Sequence, residues 1–228
     1  MENKYLNALL DKKKVEEAVS EKRMGKLPYE HYAHLFKDFE PEDIVSRTGV
    51  PFIKDAEGGY FDVPLMNDTY RVYWPSGNVD ALEGAVPDYK TFVILLRWLE
   101  NKKAGGARIP QKLSYKEIPG GAHYYGSYEG RVLKRSAFTF AKPEMYEGLE
   151  RAAEALDGGK SDKGDFSIRF RFLPDTYLTL ILWNGDDEFP PDAQILYDSD
   201  ITDAFDAEDL AVMGDLFIPR LRAAAVMR

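Results

Sequence analysis

Phe166-Ser167-Ile168-Arg169-Phe170-Arg171-Phe172, followed by Thr176-Tyr177-Leu178-Thr179-Leu180-Ile181-Leu182-Trp183, decides the fold class. In the first run the phenylalanines and Ile168 alternate with Ser167, Arg169 and Arg171, the two-residue period of an antiparallel strand with one wet face. The second run is apolar on both faces, as expected of a central strand. Ile195-Leu196-Tyr197 reads as a short third strand. Asp206 is placed to cap a last helix whose Leu210, Met213, Phe217, Leu221 and Ala224 make a core stripe, with Pro219 expected to kink it.

Working upstream, Pro143 to Leu156 reads as a helix stopped by Gly158-Gly159. Pro87 to about Lys103 reads as a helix apolar nearly all round, hence central to the core. Gly59 to Met66 and Asp68 to Trp74 are strand-like, and Pro75-Ser76-Gly77-Asn78 is a turn that closes the second. Near the N-terminus, residues 3–24 read as a surface helix docked by its first half. Further helices start at Pro28 and Pro41, the latter ending near Gly49. Residues 111–142 carry no clear period: the Pro119-Gly120-Gly121 turn leads into His123-Tyr124-Tyr125 and Tyr128, which reads as an aromatic loop.

These elements predict one α+β domain over residues 1–228, a mixed and mainly antiparallel sheet with helices packed on it. Its N-terminal region, about 1–49, is helical, and Gly105-Gly106 marks a subdomain seam near 104–110. Asp68-Thr69-Tyr70 leading to Trp74 echoes Asp175-Thr176-Tyr177 leading to Trp183. Two strand–strand–helix pseudo-repeats packed into one sheet would produce that echo.

The 228 residues have a net charge of −9 and no cysteine. Disulfides, thiol nucleophiles and thiolate-held metals are thereby excluded. A negative chain is repelled by phosphate backbones, so no nucleic-acid partner is expected. No apolar run reaches the ~20 residues that span a bilayer, and no basic-then-apolar leader opens the chain, so no membrane partner and a cytoplasmic location are expected.

Chemistry concentrates at Trp183-Asn184-Gly185-Asp186-Asp187-Glu188-Phe189-Pro190-Pro191. If this stretch is extended, Asp186 and Glu188 share a side, over a floor formed by Trp183. Facing a recess, the pair would suit a ligand, a hard cation, or divided acid and base roles. Facing water, Gly185 and Asp186 simply make a turn and the other acids blunt a sheet edge. The acids from Asp192 to Asp209 form either an extended acidic groove or a solvated edge, with Asp206 explained as a helix cap. His123, beside flexible glycines and followed by Tyr124 and Tyr125, is either a proton shuttle or part of an aromatic loop packed on the sheet. His31 and His34, three apart, read as surface histidines, and no metal motif is present. Arg131, Lys134 and Arg135 form a small basic face at helical spacing, open to an anion or to solvent.

The C-terminal stretch resembles a prokaryotic family known as domain of unknown function 3786. The likeness rests on the apolar strand Leu178 to Leu182, on Trp183-Asn184-Gly185-Asp186-Asp187-Glu188-Phe189-Pro190, and on Ile195-Leu196-Tyr197-Asp198. Ile118-Pro119-Gly120-Gly121, Gly158-Gly159 and Gly164-Asp165 add to it. The resemblance covers about residues 45–225 and implies no reaction, cofactor or catalytic residue. Some relatives add a cysteine-rich iron–sulfur domain like one in corrinoid proteins, which implies an accessory or binding role in anaerobic metabolism. The resulting expectation is a small-molecule or partner binding module with Trp183, Asp186, Glu188, His123, Tyr124 and Tyr125 as its candidate residues. The alternative is a hydrolase- or isomerase-like enzyme using Asp186 or Glu188 as base.

Overall fold

The structure is a computed structural model and describes residues 26–82, 85, 88–104 and 111–227. The helix expected over 3–24 and the Gly105-Gly106 seam lie outside the described residues.

Helix α1 (Lys26–Phe36) and helix α2 (Pro41–Thr48) come first. Pro41 suits the first turn because its missing N–H has no helical partner to lose. Gly49 ends α2 in the left-handed conformation, φ 71°, donating its N–H to Val45 O at 2.9 Å. Strands β1 (Phe52–Ile53), β2 (Gly59–Leu65), β3 (Asp68–Trp74) and β4 (Val79–Leu82) then form an antiparallel sheet in chain order. Helix α3 (Tyr89–Asn101) starts at Asp88, whose carboxylate accepts the Lys90 N–H. Ile94, Leu95, Leu96, Trp98 and Leu99 are all buried, as the all-round apolar pattern requires.

Strand β5 (Lys112–Ser114) leads through a 3₁₀ turn at Tyr115–Glu117 into one long helical stretch. It consists of α4 (Gly121–Tyr128), a π-helical segment at Glu129–Lys134, and α5 (Arg135–Phe140). The aromatic loop expected here is therefore a helix. Helix α6 (Pro143–Ala155) precedes β6 (Gly159–Ser161), β7 (Phe166–Leu173), β8 (Thr176–Trp183) and β9 (Asp192–Asp198). After a 3₁₀ turn at Ser199–Asp203, helix α7 (Ala207–Val226) closes the fold; Pro219 lies inside it.

The fold is α+β, with its strands in two sheets where one was expected. The second sheet has the order β5-β9-β8-β7-β6, and its strand pairs are antiparallel. Its register sets Phe170 opposite Leu178 and Leu178 opposite Tyr197, and likewise Ile168, Leu180 and Ile195. These side chains share one face and are all buried. The sheets meet at their hairpins, where Met66 N–H donates to Phe172 O at 2.9 Å. One continuous apolar core takes residues from both sheets and from α3, α6 and α7. The two echoing tripeptides sit at the β2–β3 and β7–β8 hairpins, in different sheets, so they do not build a single one. Among the described residues no helix is long and apolar enough to cross a membrane.

Candidate functional site

Strand β8 ends at Trp183, which pairs with Asp192 of β9, and the acidic turn spans the gap between them. The turn is not extended. Asp186 Oδ1 accepts the N–H groups of Glu188 (2.8 Å) and Phe189 (2.7 Å), while Asp186 N–H donates to Phe189 O at 2.9 Å. These amides hold the Asp186 carboxyl below the usual aspartate range. A side chain at Gly185 would put its Cβ 2.8 Å from Pro191, so glycine, Asp186 and the prolines together build the loop. Asp186, Asp187 and Glu188 are all exposed. The pair therefore lies on the open surface, and the Asp186 carboxylate is engaged by the loop's own backbone. Trp183 is 36% exposed and Phe189 67%.

Gly120, with φ 80°, turns the chain into α4, and a Cβ on Gly121 would fall 1.8 Å from Tyr115 O. That close approach brings the 3₁₀ turn against α4. His123 is exposed and meets Tyr124 edge-on; Tyr124 is exposed as well. Tyr125 alone of this trio turns inward. It carries the Lys116 ammonium 3.9 Å over its ring and lines a cleft of about 120 Å³ with Tyr115, Tyr128 and Gln194. Tyr115 stacks on Tyr128 at 3.6 Å, and the Tyr128 and Tyr197 hydroxyls share a hydrogen bond of 2.8 Å. Burial pushes both of these hydroxyls up. The structure thus brings Tyr125 against Gln194 and Ile195 of β9, and leaves His123, Tyr124, Asp186 and Glu188 exposed on the surface. His31 and His34 are exposed on α1.

The other charged stretches are internal fasteners. Asp198, 5% exposed, accepts from Lys112 and from Arg169, the latter at 3.0 Å. Asp200 pairs with Lys102 and Asp203 with Lys103, both at 2.9 Å, and Asp206 and Asp209 both hold Arg97. Asp200, Asp203, Asp206 and Asp209 therefore form an ionic seam with Arg97, Lys102 and Lys103 in place of a groove, while Asp192 and Glu208 stay exposed. Arg131 and Arg135 converge on Asp215 with Lys90, so most of the basic face is engaged internally. Among the described residues no group of three histidines or carboxylates is set to hold a metal ion.

A larger cleft, about 430 Å³, opens at one end of the first sheet, where three segments meet. The β3–β4 turn is tied by Tyr73 N–H to Asn78 O and by Gly77 N–H to Tyr73 O, each 2.8 Å. Gly77 has φ 68°, and a Cβ there would lie 2.5 Å from Ala33 Cα, so α1 packs directly on the turn. Tyr29 of α1 donates its hydroxyl to Gly77 O at 3.3 Å. From the β1–β2 turn come Asp55 and Glu57, joined by Glu57 N–H to Asp55 Oδ1 at 2.9 Å. Trp74 is held in place by Nε1–H donating to Phe39 O at 2.9 Å, and Tyr73 donates its hydroxyl to Asp80 at 3.0 Å. That bond raises the Tyr73 hydroxyl and keeps it protonated. Tyr29, Tyr73 and Trp74 supply aromatic walls; Asp55, Glu57 and Asp80 supply carboxylates. The sequence reading treats Tyr73-Trp74 and the following turn as a strand end only. The signal available was an aromatic pair immediately before Pro75-Ser76-Gly77-Asn78.

The family model described as Domain of unknown function (DUF3786) matches residues 40–220. The chain belongs to that family. The match takes in both sheets, the acidic turn after Trp183 and most of the 430 Å³ cleft; Tyr29 lies ahead of it. No curated protein and no solved structure matches the chain.

Proposed function

We propose that this protein is a non-catalytic binding module that holds a small polar molecule in the cleft at the β3–β4 turn. The observation that carries this reading is the cleft itself. Its volume falls in the range of small-molecule sites, and it joins aromatic walls to a few polar groups on ordered turns. Catalysis by Asp186 or Glu188 would need a desolvated carboxyl with a partner group in a concave site. Both residues are exposed instead, and the amide bonds to Asp186 favour its charged form. An accessory role in anaerobic metabolism is a further part of the proposal and rests on the family resemblance alone.

A fragment screen followed by ¹H–¹⁵N NMR tests the reading. The chain has three tryptophans, so its indole signals are few enough to assign by substitution. Binding fragments are expected to shift the Trp74 indole signal and the amides of residues 73–80 while leaving Trp183 unmoved. Fragments that shift Trp183 and the amides of Asp186 and Glu188 instead would return the site to the acidic turn.

A further inference from the structure

We propose that the ligand of this cleft is an elongated organic cation, a linear di- or triamine in chemical class. The inference rests on the reading of the cleft as a ligand site and names what that site would select. Three features of the cavity point the same way. Its walls include the rings of Tyr29, Tyr73 and Trp74, the side chains whose faces attract an ammonium group. Its polar lining includes Asp55, Glu57 and Asp80, and no lysine, arginine or histidine lines it. The three carboxylates also make no ion pair among the described residues, in contrast with the seam after β9, where successive acids meet a lysine or arginine.

The basic side chain across the sheet from Asp80 is paired with another carboxylate. Arg71 sits opposite Asp80 in the β3–β4 register, but its Nε and Nη2 close on Asp62, each at 2.8 Å. Asp55, Glu57 and Asp80 are exposed, and no basic side chain lines the cleft with them, so a cation entering it meets negative charge beside aromatic side chains. Shape separates the kinds of cation. Asp55 and Glu57 come from one turn and Asp80 from the strand after another, and they do not gather around one point as a metal site requires. Separate carboxylates across a cleft of about 430 Å³ suit separate ammonium groups on a flexible chain.

Spermidine is the probe, with trehalose as a neutral control and Mg²⁺ as a point-charge control, each titrated into the intact chain and followed by the Trp74 indole signal. Spermidine is expected to shift that signal saturably, more weakly as salt is raised, because screening shortens the reach of the field. Glu57→Gln and Asp80→Asn are each expected to weaken it about tenfold, whereas Asp187→Asn, on the distant acidic turn, leaves it unchanged. Glu57 is exposed, so Glu57→Gln carries the test should Asp80→Asn disturb the Tyr73 hydrogen bond. Equal weakening by Asp187→Asn, or equal shifts produced by Mg²⁺ at the same concentration, would overturn the inference as diffuse charge attraction. Trehalose shifting Trp74 while spermidine does not would also overturn it, yet leave the cleft a ligand site. Silence from both probes together with an empty fragment screen would remove the site as well.

Discussion

Arg220 Nε lies 2.8 Å from Asp68 Oδ2, a contact that joins the last helix to the first residue of β3 across 152 residues of sequence. The same guanidinium donates to the Tyr70 hydroxyl at 2.8 Å and to Leu216 O at 3.0 Å. The pair is mostly buried, with 16% of the Arg220 side chain and 27% of the Asp68 side chain exposed. It fastens α7 to the sheet that carries the cleft. Arg220→Ala is expected to lower unfolding free energy by about 2–4 kcal/mol, since it strands a partly buried carboxylate. Urea denaturation checks this. Asp68→Asn should cost less, and a double variant should fall short of the sum of the two.

The Tyr128–Tyr197 pair predicts a similar non-additivity inside the core. Both hydroxyls are buried, and each is the other's partner at 2.8 Å. Tyr128→Phe or Tyr197→Phe alone leaves one hydroxyl unsatisfied and should cost about 1–2 kcal/mol. The double phenylalanine variant removes both polar atoms and should cost less than the two single changes added together. A thermodynamic cycle by chemical denaturation measures the coupling directly.

Glu100 predicts a pH dependence. It is 6% exposed, and its Oε1 has no hydrogen-bond partner. Burial pushes its carboxyl up from 4.5 to about 7. The folded chain therefore holds this proton more tightly than the unfolded chain does. The stability it contributes is fully present below about pH 4.5 and is lost as pH rises through about 7. Glu100→Gln should be neutral near pH 4 and stabilising by about 3 kcal/mol at pH 8. A midpoint difference that does not change between these pH values would show that Glu100 is not the titrating group.

At the acidic turn the two candidate acids, Asp186 and Glu188, should behave differently. Asp186→Ala removes the acceptor of two backbone amides, so the N–H groups of Glu188 and Phe189 should exchange with solvent markedly faster. Glu188→Gln should leave those exchange rates alone. Because the amides hold the Asp186 carboxyl low, their protection should persist through pH 4 and fade only in stronger acid. Amide hydrogen exchange across a pH series reads all three outcomes.

The long and regular elements were legible because one interaction dominates each. The period of Phe166 to Phe172, the run from Thr176 to Trp183 and the stripe from Leu210 to Leu221 all report burial against one core, and all three sit where expected. The strands at Phe52–Ile53, Val79–Leu82 and Gly159–Ser161 are too short to show a period. The α4 helix was hidden by its own residues: Gly121 and Gly126 are poor helix formers, and its rings suggested a loop. The candidate site was harder still. The acidic turn stands out in sequence because a loop that ties itself together needs unusual residues in a row. The cleft draws its walls from α1, the β1–β2 turn and the β3–β4 turn, so no single stretch advertises it.

The amino-acid order alone determined the long strands and helices, the negative balance of the chain, and the exclusion of thiol chemistry. These depend on neighbours within a few residues or on composition. Only the tertiary structure decided that the strands divide into two sheets and that Asp198 and Asp200 are matched by distant basic side chains. It also decided that Asp55, Glu57 and Asp80 share an aromatic cleft while Asp186 serves its own loop. Charge pairing and cavity formation depend on which remote segments the core draws together, and local spacing carries no record of that distance.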